Sequence, residues 1–190
     1  MIWFWIGAAY LSGSIPFGLF IARAKTGQDV RTVGSGNIGA TNVARAAGLT
    51  AAAATLVLDA LKGLLPVLLA AHFADPRSPP LPAECAVAAV IGHCFPLWLR
   101  FRGGKGVATG LGVSLALAPW AALAGGLTWL VLYKRFRISS IGSLAGVAVA
   151  VGVAVFTADR FAVFGLAGVA LIILVRHTGN IRRLFNRQEN

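Results

Sequence analysis

A polar, glycine-rich segment at 34–45 is the first part of this chain whose residue types could do chemistry. Gly34, Gly36 and Gly39 lie close together, and glycine backbones can turn their N–H groups toward one point to form a nest for an oxyanion. Further donors, and an arginine whose planar fork suits phosphate, stand among them: Ser35, Asn37, Thr41, Asn42 and Arg45. Such residues also form ordinary flexible loops. The density of donors favours an anion site.

A second glycine-rich segment surrounds Lys105 with Gly103, Gly104 and Gly106. A helix is predicted to begin directly after it, near Val107, and the free N–H groups and dipole of a helix N-terminus attract anions. The segment is not a Walker A loop, because Gly106 follows Lys105 where that motif requires Ser or Thr. We therefore expect an anion site that does not bind a nucleotide.

Two more polar segments carry hydroxyl, imidazole and amide groups. Ser139, Ser140 and Ser143 stand at the start of a predicted helix, where they could cap the helix or contact a substrate. In the tail, His177 and Asn180 are three residues apart and could share one helical face. The arginines of that tail could instead serve only to set membrane topology.

Carboxylates are scarce in all these segments. Of the six in the chain, only Asp29 and Glu189 lie near them, which argues against a carboxylate metal cage or a paired-carboxylate mechanism. None of the three histidines is followed five residues later by aspartate, so the HxxxxD acyltransferase signature is missing. We expect no metal and no cofactor.

The elements that must position these groups are membrane helices. The chain is 57% hydrophobic and 12% charged, with a mean hydropathy of +0.78, whereas soluble domains are about one quarter charged. A bilayer-spanning helix needs roughly 20 mostly apolar residues. The predicted helices are 2–22, 51–73, 83–99, 107–118, 121–133, 141–157 and 161–176. No linker divides the chain, so residues 1–190 are predicted to form one all-α, polytopic transmembrane bundle of seven segments.

The stretch 107–133 could be one long helix or two short ones hinged at Pro119-Trp120. The positive-inside rule favours the hinge. With it, the cytoplasmic segments 23–50, 100–106, 134–140 and 176–190 hold four, three, three and four Lys or Arg, which is 14 of the 17. Only Arg77 and Arg160 then lie outside. This predicts an outer N-terminus, a cytoplasmic C-terminus, and one cytoplasmic face shared by all four polar segments.

The net charge of +11 could suggest nucleic acid, but topology explains much of it, because cytoplasmic loops rest against anionic lipid. We expect membrane lipid and no nucleic acid as a partner. Asp59 and Lys62 lie three residues apart within an apolar stretch. Since an unpaired charge at the bilayer centre costs at least a few kcal/mol, they are predicted to pair, either as structure or as part of a head-group pocket.

The motifs GSGNIGATN at 34–42, FRGGKGVAT at 101–109 and HxxNIxRL at 177–184 occur in this order. With them the chain resembles the bacterial acyl-phosphate-dependent glycerol-3-phosphate acyltransferases, the PlsY type, from Tyr10 to the tail. The resemblance implies an enzyme of the bacterial inner membrane with its active site facing the cytoplasm. Its substrates would be a fatty acyl phosphate and glycerol-3-phosphate, and its product lysophosphatidic acid. The tail departs from the family's Gly-x-Glu, because Arg187 precedes Gln188-Glu189 here.

The residue types and the resemblance together predict four catalytic residues, His177, Ser35, Asn180 and Ser143. The predicted substrate-binding residues are Gly36, Asn37, Thr41, Asn42, Arg45, Gly103, Gly104, Lys105, Gly106, Ser139 and Ser140. Which of the three serines in 139–143 acts stays open. The proton of the attacking hydroxyl could go to His177 or to a substrate phosphate.

An acyl phosphate is a mixed anhydride with a good leaving group, so the main need is to screen two phosphate dianions and hold the hydroxyl near the carbonyl. Direct transfer is favoured over an acyl-serine intermediate, because no serine–base pair is evident. The alternative function is a transporter or channel for an anionic phosphorylated metabolite. Such a protein would spread its polar groups along a path through the membrane, whereas here they crowd one face.

Overall fold

The structure, a computed structural model, describes residues 1–73 and 78–189, and within these ranges it contains helices and no strands. The predicted all-α architecture is confirmed. The predicted outer residue Arg77 lies outside the described residues. The helices are α1 (Ile2–Gly13), α2 (Phe17–Thr26), α3 (Ala40–Ala47), α4 (Leu49–Phe73), α5 (Leu81–Cys94), α6 (Val107–Leu117), α7 (Pro119–Phe136), α8 (Ser139–Thr157), α9 (Arg160–Arg176) and α10 (Thr178–Phe185).

Four stretches among the described residues are long and apolar enough to cross a membrane. They are Ile2–Thr26, which contains α1 and α2, then α4, Leu81–Leu99 and α8. The pair α9 and α10 makes a fifth if it is counted as one span despite a bend of 57°. The 25 residues of α4 cover about 37 Å, more than the ~30 Å hydrocarbon core. The chain therefore has the helices of an integral membrane protein.

The first segment differs from the continuous helix predicted at 2–22. It breaks after Gly13, because Pro16 has no N–H to continue the helical ladder, and α2 then runs on to Thr26. Lys62 Nζ donates a hydrogen bond of 2.6 Å to the Ile15 carbonyl at this break. Lys62 Nζ also lies 2.8 Å from Asp59 Oδ1, and both side chains are buried, so the predicted ion pair is confirmed.

The predicted interruption near Pro119 is confirmed, because α6 ends at Leu117 and α7 begins at Pro119. The second helix is longer than the predicted 121–133, since it continues through Lys134 and Arg135 until Arg137 adopts a left-handed conformation. Of the two helices predicted to be short here, only α6 is, with 11 residues and about 16 Å of rise. The helix predicted at 83–99 ends earlier, at Cys94, two residues before Pro96.

Two hydrophobic clusters position the polar loops. The larger cluster centres on α5 and packs it against α4, α6 and α9 through Val67, Val90, Val113 and Ile173. The smaller cluster buries Val30, Ile38 and Val43 against Leu19 and Ala22 of α2 and against the start of α4. The polar loop between α2 and α3 contains a short 3₁₀ helix, Val30–Thr32, which the sequence did not predict, and apolar side chains anchor the loop.

Candidate active site

The loop at 27–39 is shaped by one buried amide, that of Asn42. Its Nδ2 lies 2.9 Å from each of the carbonyl oxygens of Val30, Val33 and Asn37. Its Oδ1 accepts a hydrogen bond of 3.0 Å from Ser35 N. Because these contacts use both ends of the amide, Asn42 organises the loop. Its contact with substrate stays a prediction, and the structure gives Asn42 this structural role.

Asn42 holds the tip of that loop outward. Ser35 and Gly36 are exposed there, and Gly36 has a φ of +68°, a conformation that favours glycine. Asn37 is half-buried, and its Oδ1 accepts a hydrogen bond from Gly39 N.

Thr41 Oγ1 and Ser139 Oγ lie 3.1 Å apart, which joins the first polar segment to the third. Arg45 is exposed on the same helix, and its stem passes over Gly34.

Asp29 is not available as a base in this loop. Hydrogen bonds from Arg31, together with that guanidinium's charge, lower the pKa of Asp29 to about 2 against the opposing effect of burial. The carboxylate is therefore ionised and engaged with its neighbour. Its contribution is to the shape of the loop.

The Gly103-Gly104 dipeptide is bound on every side by protein. Gly103 N donates to the Cys94 carbonyl and Gly104 N to the His93 carbonyl, each at 3.1 Å. These two acceptors lie at the C-terminus of α5, where helix carbonyls lack partners within the helix. The two N–H groups are thus engaged within the protein, so a substrate contact of Gly103 or Gly104, which stays a prediction, would use other atoms of these residues. Gly103 still lines a surface cleft through its remaining atoms.

Gly104 must be glycine for a steric reason. A Cβ built there would stand 2.1 Å from His93 Nε2, far closer than atoms approach in proteins. His93 is itself buried, so its ring is a packing surface for the loop. Gly106 is buried at the start of α6, where a Cβ would meet Val90 and Cys94, so its observed role is close packing and its contact with substrate stays a prediction.

Lys105 is the residue that this clamped loop presents. Its side chain is half-buried. Burial lowers the pKa of Lys105 to about 8, and the positive charges of Arg183, Arg176 and Arg45 act in the same direction. The negative charge of Glu189 acts in the opposite direction. The same interactions show which groups surround it. Cations from α3, α9 and α10 converge on one ammonium, an arrangement that favours a bound anion.

The serines at the start of α8 do not cap it. Ile138 is the capping residue and supplies no side-chain hydrogen bond. Ser143 Oγ donates to the Ser139 carbonyl at 2.9 Å, and Ser140 Oγ donates to Glu189 Oε1 at 3.0 Å. The capping alternative is therefore excluded, and Ser139 and Ser140 join this helix to the first loop and to the tail.

His177 and Asn180 lie at the bend between α9 and α10, and both are buried. His177 Nδ1 is 2.8 Å from the Ile173 carbonyl. Since a carbonyl only accepts, Nδ1 carries the hydrogen and Nε2 of the neutral ring keeps a lone pair. Asn180 Nδ2 donates a short hydrogen bond to Glu189 Oε1, and Arg183 Nε donates to Glu189 Oε2 at 2.6 Å.

Glu189 is the main residue whose place the sequence did not reveal. Burial alone would raise the pKa of Glu189, but hydrogen bonds from Asn180, Arg183 and Ser140 outweigh it and keep the pKa below its usual value. The carboxylate is therefore ionised and draws the tail back onto α8 and α10. The signals available in the sequence were the small number of acidic residues and the glutamate in the tail of the family that the chain resembles.

The assembled site lies at one end of the bundle. Thr41, Ser139, Ser140, Asn180 and Lys105 come together, with His177 close enough to Lys105 and Glu189 to respond to their charges. A cleft of about 520 Å³ opens beside them, lined by Asp29, Arg31, Thr32, Gly36, Phe101, Arg102, Gly103 and Arg176. Among the described residues, no three His, Cys, Asp or Glu side chains could together hold a metal ion.

Comparison with known proteins gives a consistent picture. A family model described as glycerol-3-phosphate acyltransferase matches residues 3–187. The glycerol-3-phosphate acyltransferase of Anaeromyxobacter sp. (strain Fw109-5) is 52% identical over 189 residues, which cover 97% of this chain and 93% of that protein. The enzyme of the same name from Myxococcus xanthus (strain DK1622) is 50% identical over 181 residues, covering 95% of this chain and 94% of its own.

Two solved structures share the fold. Both are of PlsY (YgiH), an integral membrane glycerol 3-phosphate acyltransferase, one in its glycerol 3-phosphate form and the other in its lysophosphatidic acid form. They superpose on this chain with TM-scores of 0.93 and 0.91, at 38% and 36% sequence identity. Each comparison covers all of this chain and 94% of the other.

Proposed function

The chain belongs to the glycerol-3-phosphate acyltransferase family, and we propose that its loop face transfers a fatty acyl group from an acyl phosphate to glycerol-3-phosphate. The product is lysophosphatidic acid, a precursor of phospholipids. The protein is thus a membrane acyltransferase. We also propose the acyl donor, the roles of individual residues and the orientation in the membrane.

The observation that carries the proposal is the meeting of four distant segments around Lys105. Hydroxyls come from α3 and α8, an imidazole and an amide from the α9–α10 bend, and guanidinium groups from three helices. Two phosphate dianions must approach each other in the proposed reaction, and only a site with several cations offsets their repulsion. A site for a neutral acyl acceptor would not need this charge.

The reaction then requires positioning more than strong acid catalysis. The oxygen of a glycerol-3-phosphate hydroxyl attacks the acyl carbonyl carbon, a new ester bond forms, and the bond between that carbon and the phosphate oxygen breaks. Inorganic phosphate leaves with the former bridging oxygen. Lys105 and Arg45 bind phosphate, while Ser35, Asn37, Thr41 and Ser139 supply hydrogen bonds at the loop tips.

The hydroxyl proton passes to His177 and from there to the departing phosphate, which restores the neutral ring. Its Nε2 is the unprotonated nitrogen of a ring held by Ile173, and the ring lies buried beside Lys105. Asn180 and Ser140 are oriented by Glu189 and complete the polar wall. Ser143 is buried and bonded to its own helix, which supports direct transfer over an acyl-serine intermediate.

Seven membrane segments, with the N-terminus outside and the C-terminus in the cytoplasm, are proposed for the orientation in a bacterial inner membrane. The α1–α2 pair, α4, α5, α6, α7, α8 and α9 are these segments. The break at Ala118 between α6 and α7 supports an outer turn there. With an outer turn there, the start of α6 and the end of α7 lie on the same cytoplasmic face. Lys105 precedes α6 and Ser140 follows α7, so both residues are on that face.

Cysteine labelling of intact cells tests this orientation. In a variant without Cys85 and Cys94, a single cysteine replacing the exposed Trp120 is expected to react with a membrane-impermeant thiol reagent. Cysteines replacing the exposed Arg135 or Gly179 are expected to react only after the membrane is opened. Labelling of either of these two in intact cells would place the site on the wrong side and overturn the proposed orientation.

Metal independence is a second expectation. Because the described residues hold no carboxylate cage and the cations of the site already neutralise phosphate, EDTA is expected to leave the initial rate of the purified protein unchanged. The rate is measured as lysophosphatidic acid formed with and without EDTA, and again after adding Mg²⁺. Loss of activity in EDTA with recovery in Mg²⁺ would show a metal requirement.

Donor choice tests the function itself. The purified protein is given glycerol-3-phosphate with either palmitoyl phosphate or palmitoyl-coenzyme A, and lysophosphatidic acid is measured by mass spectrometry. Product is expected from palmitoyl phosphate alone. Product from palmitoyl-coenzyme A alone would refute the donor, and no product combined with glycerol-3-phosphate uptake into proteoliposomes would favour the transporter alternative.

A further inference from the structure

Arg176 binds the carbonyl side of the dipeptide that precedes Lys105. Its Nε donates to the Gly104 carbonyl at 3.0 Å, and its Nη2 donates to the Gly103 carbonyl at 2.9 Å. The amide side of the same dipeptide is held by the end of α5. The Gly103–Gly104 peptide group is therefore held at both its carbonyl and its N–H, the peptide groups on either side are each held once, and the backbone entering Lys105 has little freedom to move.

The rest of the Arg176 side chain is also held in place. Its guanidinium lies over the Phe95 ring, with Cζ 5.2 Å from the ring centroid. Phe95 in turn offers its carbonyl to Tyr10 Oη at 2.9 Å. A planar fork with two parallel N–H groups matches two successive carbonyls, a geometry that the single ammonium of lysine does not reproduce.

Arg176 is also the last residue of α9, directly before His177. One side chain therefore joins the helix end that carries the proposed proton acceptor to the loop that carries the proposed phosphate-binding ammonium. These two groups come from segments more than 70 residues apart in sequence. Among the described residues, no other side chain forms hydrogen bonds to both Gly103 and Gly104.

We propose that Arg176 is a positioning residue that sets the distance between Lys105 and His177 by holding the carbonyls of Gly103 and Gly104. The inference rests on the proposed function and adds a residue outside the predicted set. Its Nε and Nη2 groups are bound by the protein, so its effect on the reaction passes mainly through Lys105. The positive charge of Arg176 also acts on Lys105, which gives the proposal a second observable.

A double-mutant cycle tests this route of action. Arg176→Met is expected to lower kcat/KM for glycerol-3-phosphate by at least about tenfold. In a Lys105→Ala background the same change is expected to cost less than about twofold, because the group that Arg176 positions is already gone. Additive losses would show that Arg176 acts independently of Lys105 and would overturn the proposal.

Two further measurements separate positioning from charge and from folding. Arg176→Lys keeps the charge and is expected to restore only a small part of the loss, and full restoration would contradict the two-carbonyl geometry. In Arg176→Met the alkaline fall of kcat/KM is expected to move to higher pH, because a cation beside Lys105 has been removed. An unshifted profile would contradict the proposal.

Arg160→Met is the matched control. Arg160 stands at the other end of α9 and also lies over a phenylalanine ring, that of Phe161, with Cζ 4.8 Å from the centroid. It is expected to retain wild-type kinetics, and thermal unfolding of each variant shows whether the fold survives. Wild-type formation of lysophosphatidic acid is the starting point, so its absence refutes the proposed function, whereas additivity in an active protein refutes only the role of Arg176.

Discussion

Replacing Lys105 by alanine is expected to lower kcat/KM for glycerol-3-phosphate by at least about tenfold, and by more if this ammonium screens both phosphates. The loop that carries Lys105 is clamped by the end of α5 and by Arg176, so its backbone presents this ammonium from a fixed position. Arg45→Ala, which removes a second cation of the same surface, is expected to reduce kcat/KM in the same direction. Lys134→Ala, at an exposed lysine of α7, is the matched control with wild-type kinetics.

The pH profile makes the Lys105 prediction sharper. Burial lowers the pKa of Lys105 to about 8, so the ammonium predominates below that pH and is lost above it. The wild-type kcat/KM is therefore expected to fall as pH rises through about 8. Lys105→Arg is expected to remain well below wild type in rate, since a planar fork replaces a compact charge, yet to lose this alkaline fall because arginine stays protonated. Wild-type kinetics in Lys105→Ala would exclude Lys105 from the site.

Replacing His177 by asparagine is expected to lower kcat by at least about a hundredfold, the low end of what general acid–base catalysis contributes. Asparagine can still donate a hydrogen bond toward the Ile173 carbonyl, as Nδ1 of the imidazole does. It lacks the basic nitrogen that Nε2 provides. The expected result is therefore a protein with unchanged thermal unfolding and a lost chemical step.

The size of this loss also separates the two proton acceptors considered for the reaction. If a substrate phosphate takes the proton, His177→Asn should cost less than about tenfold. A loss that small would remove His177 as the base. His72→Ala, at an exposed histidine near the far end of α4, serves as the control and is expected to leave kcat unchanged.

Much of the architecture could be predicted because membrane helices leave a strong signal. Long apolar stretches and the clustering of Lys and Arg were enough to predict an all-helical protein and the interruption before Pro119. The break after Gly13 was missed because the apolar run continues across Pro16 without a charge. The short helices α3 and α10 were missed because they lie in polar segments and are held by tertiary contacts.

The site was less predictable, because a residue's type does not reveal which partner uses its polar atoms. Gly103 and Gly104 appeared suited to phosphate, but α5 ends beside them with unpaired carbonyls that their N–H groups satisfy. Asn42 likewise appeared to be a donor for a ligand and instead binds its own loop. Arg176 and Glu189 act through contacts with residues between six and 73 positions away in the sequence, which spacing alone cannot indicate.

The reaction of palmitoyl phosphate labelled with ¹⁸O at its bridging oxygen tests the central claim most directly. The purified protein is mixed with this donor and glycerol-3-phosphate, and lysophosphatidic acid and inorganic phosphate are measured over time. Attack at the acyl carbon predicts equal amounts of the two products, with the label entirely in inorganic phosphate. Label recovered in palmitate, with phosphate transferred to glycerol-3-phosphate, would contradict acyl transfer.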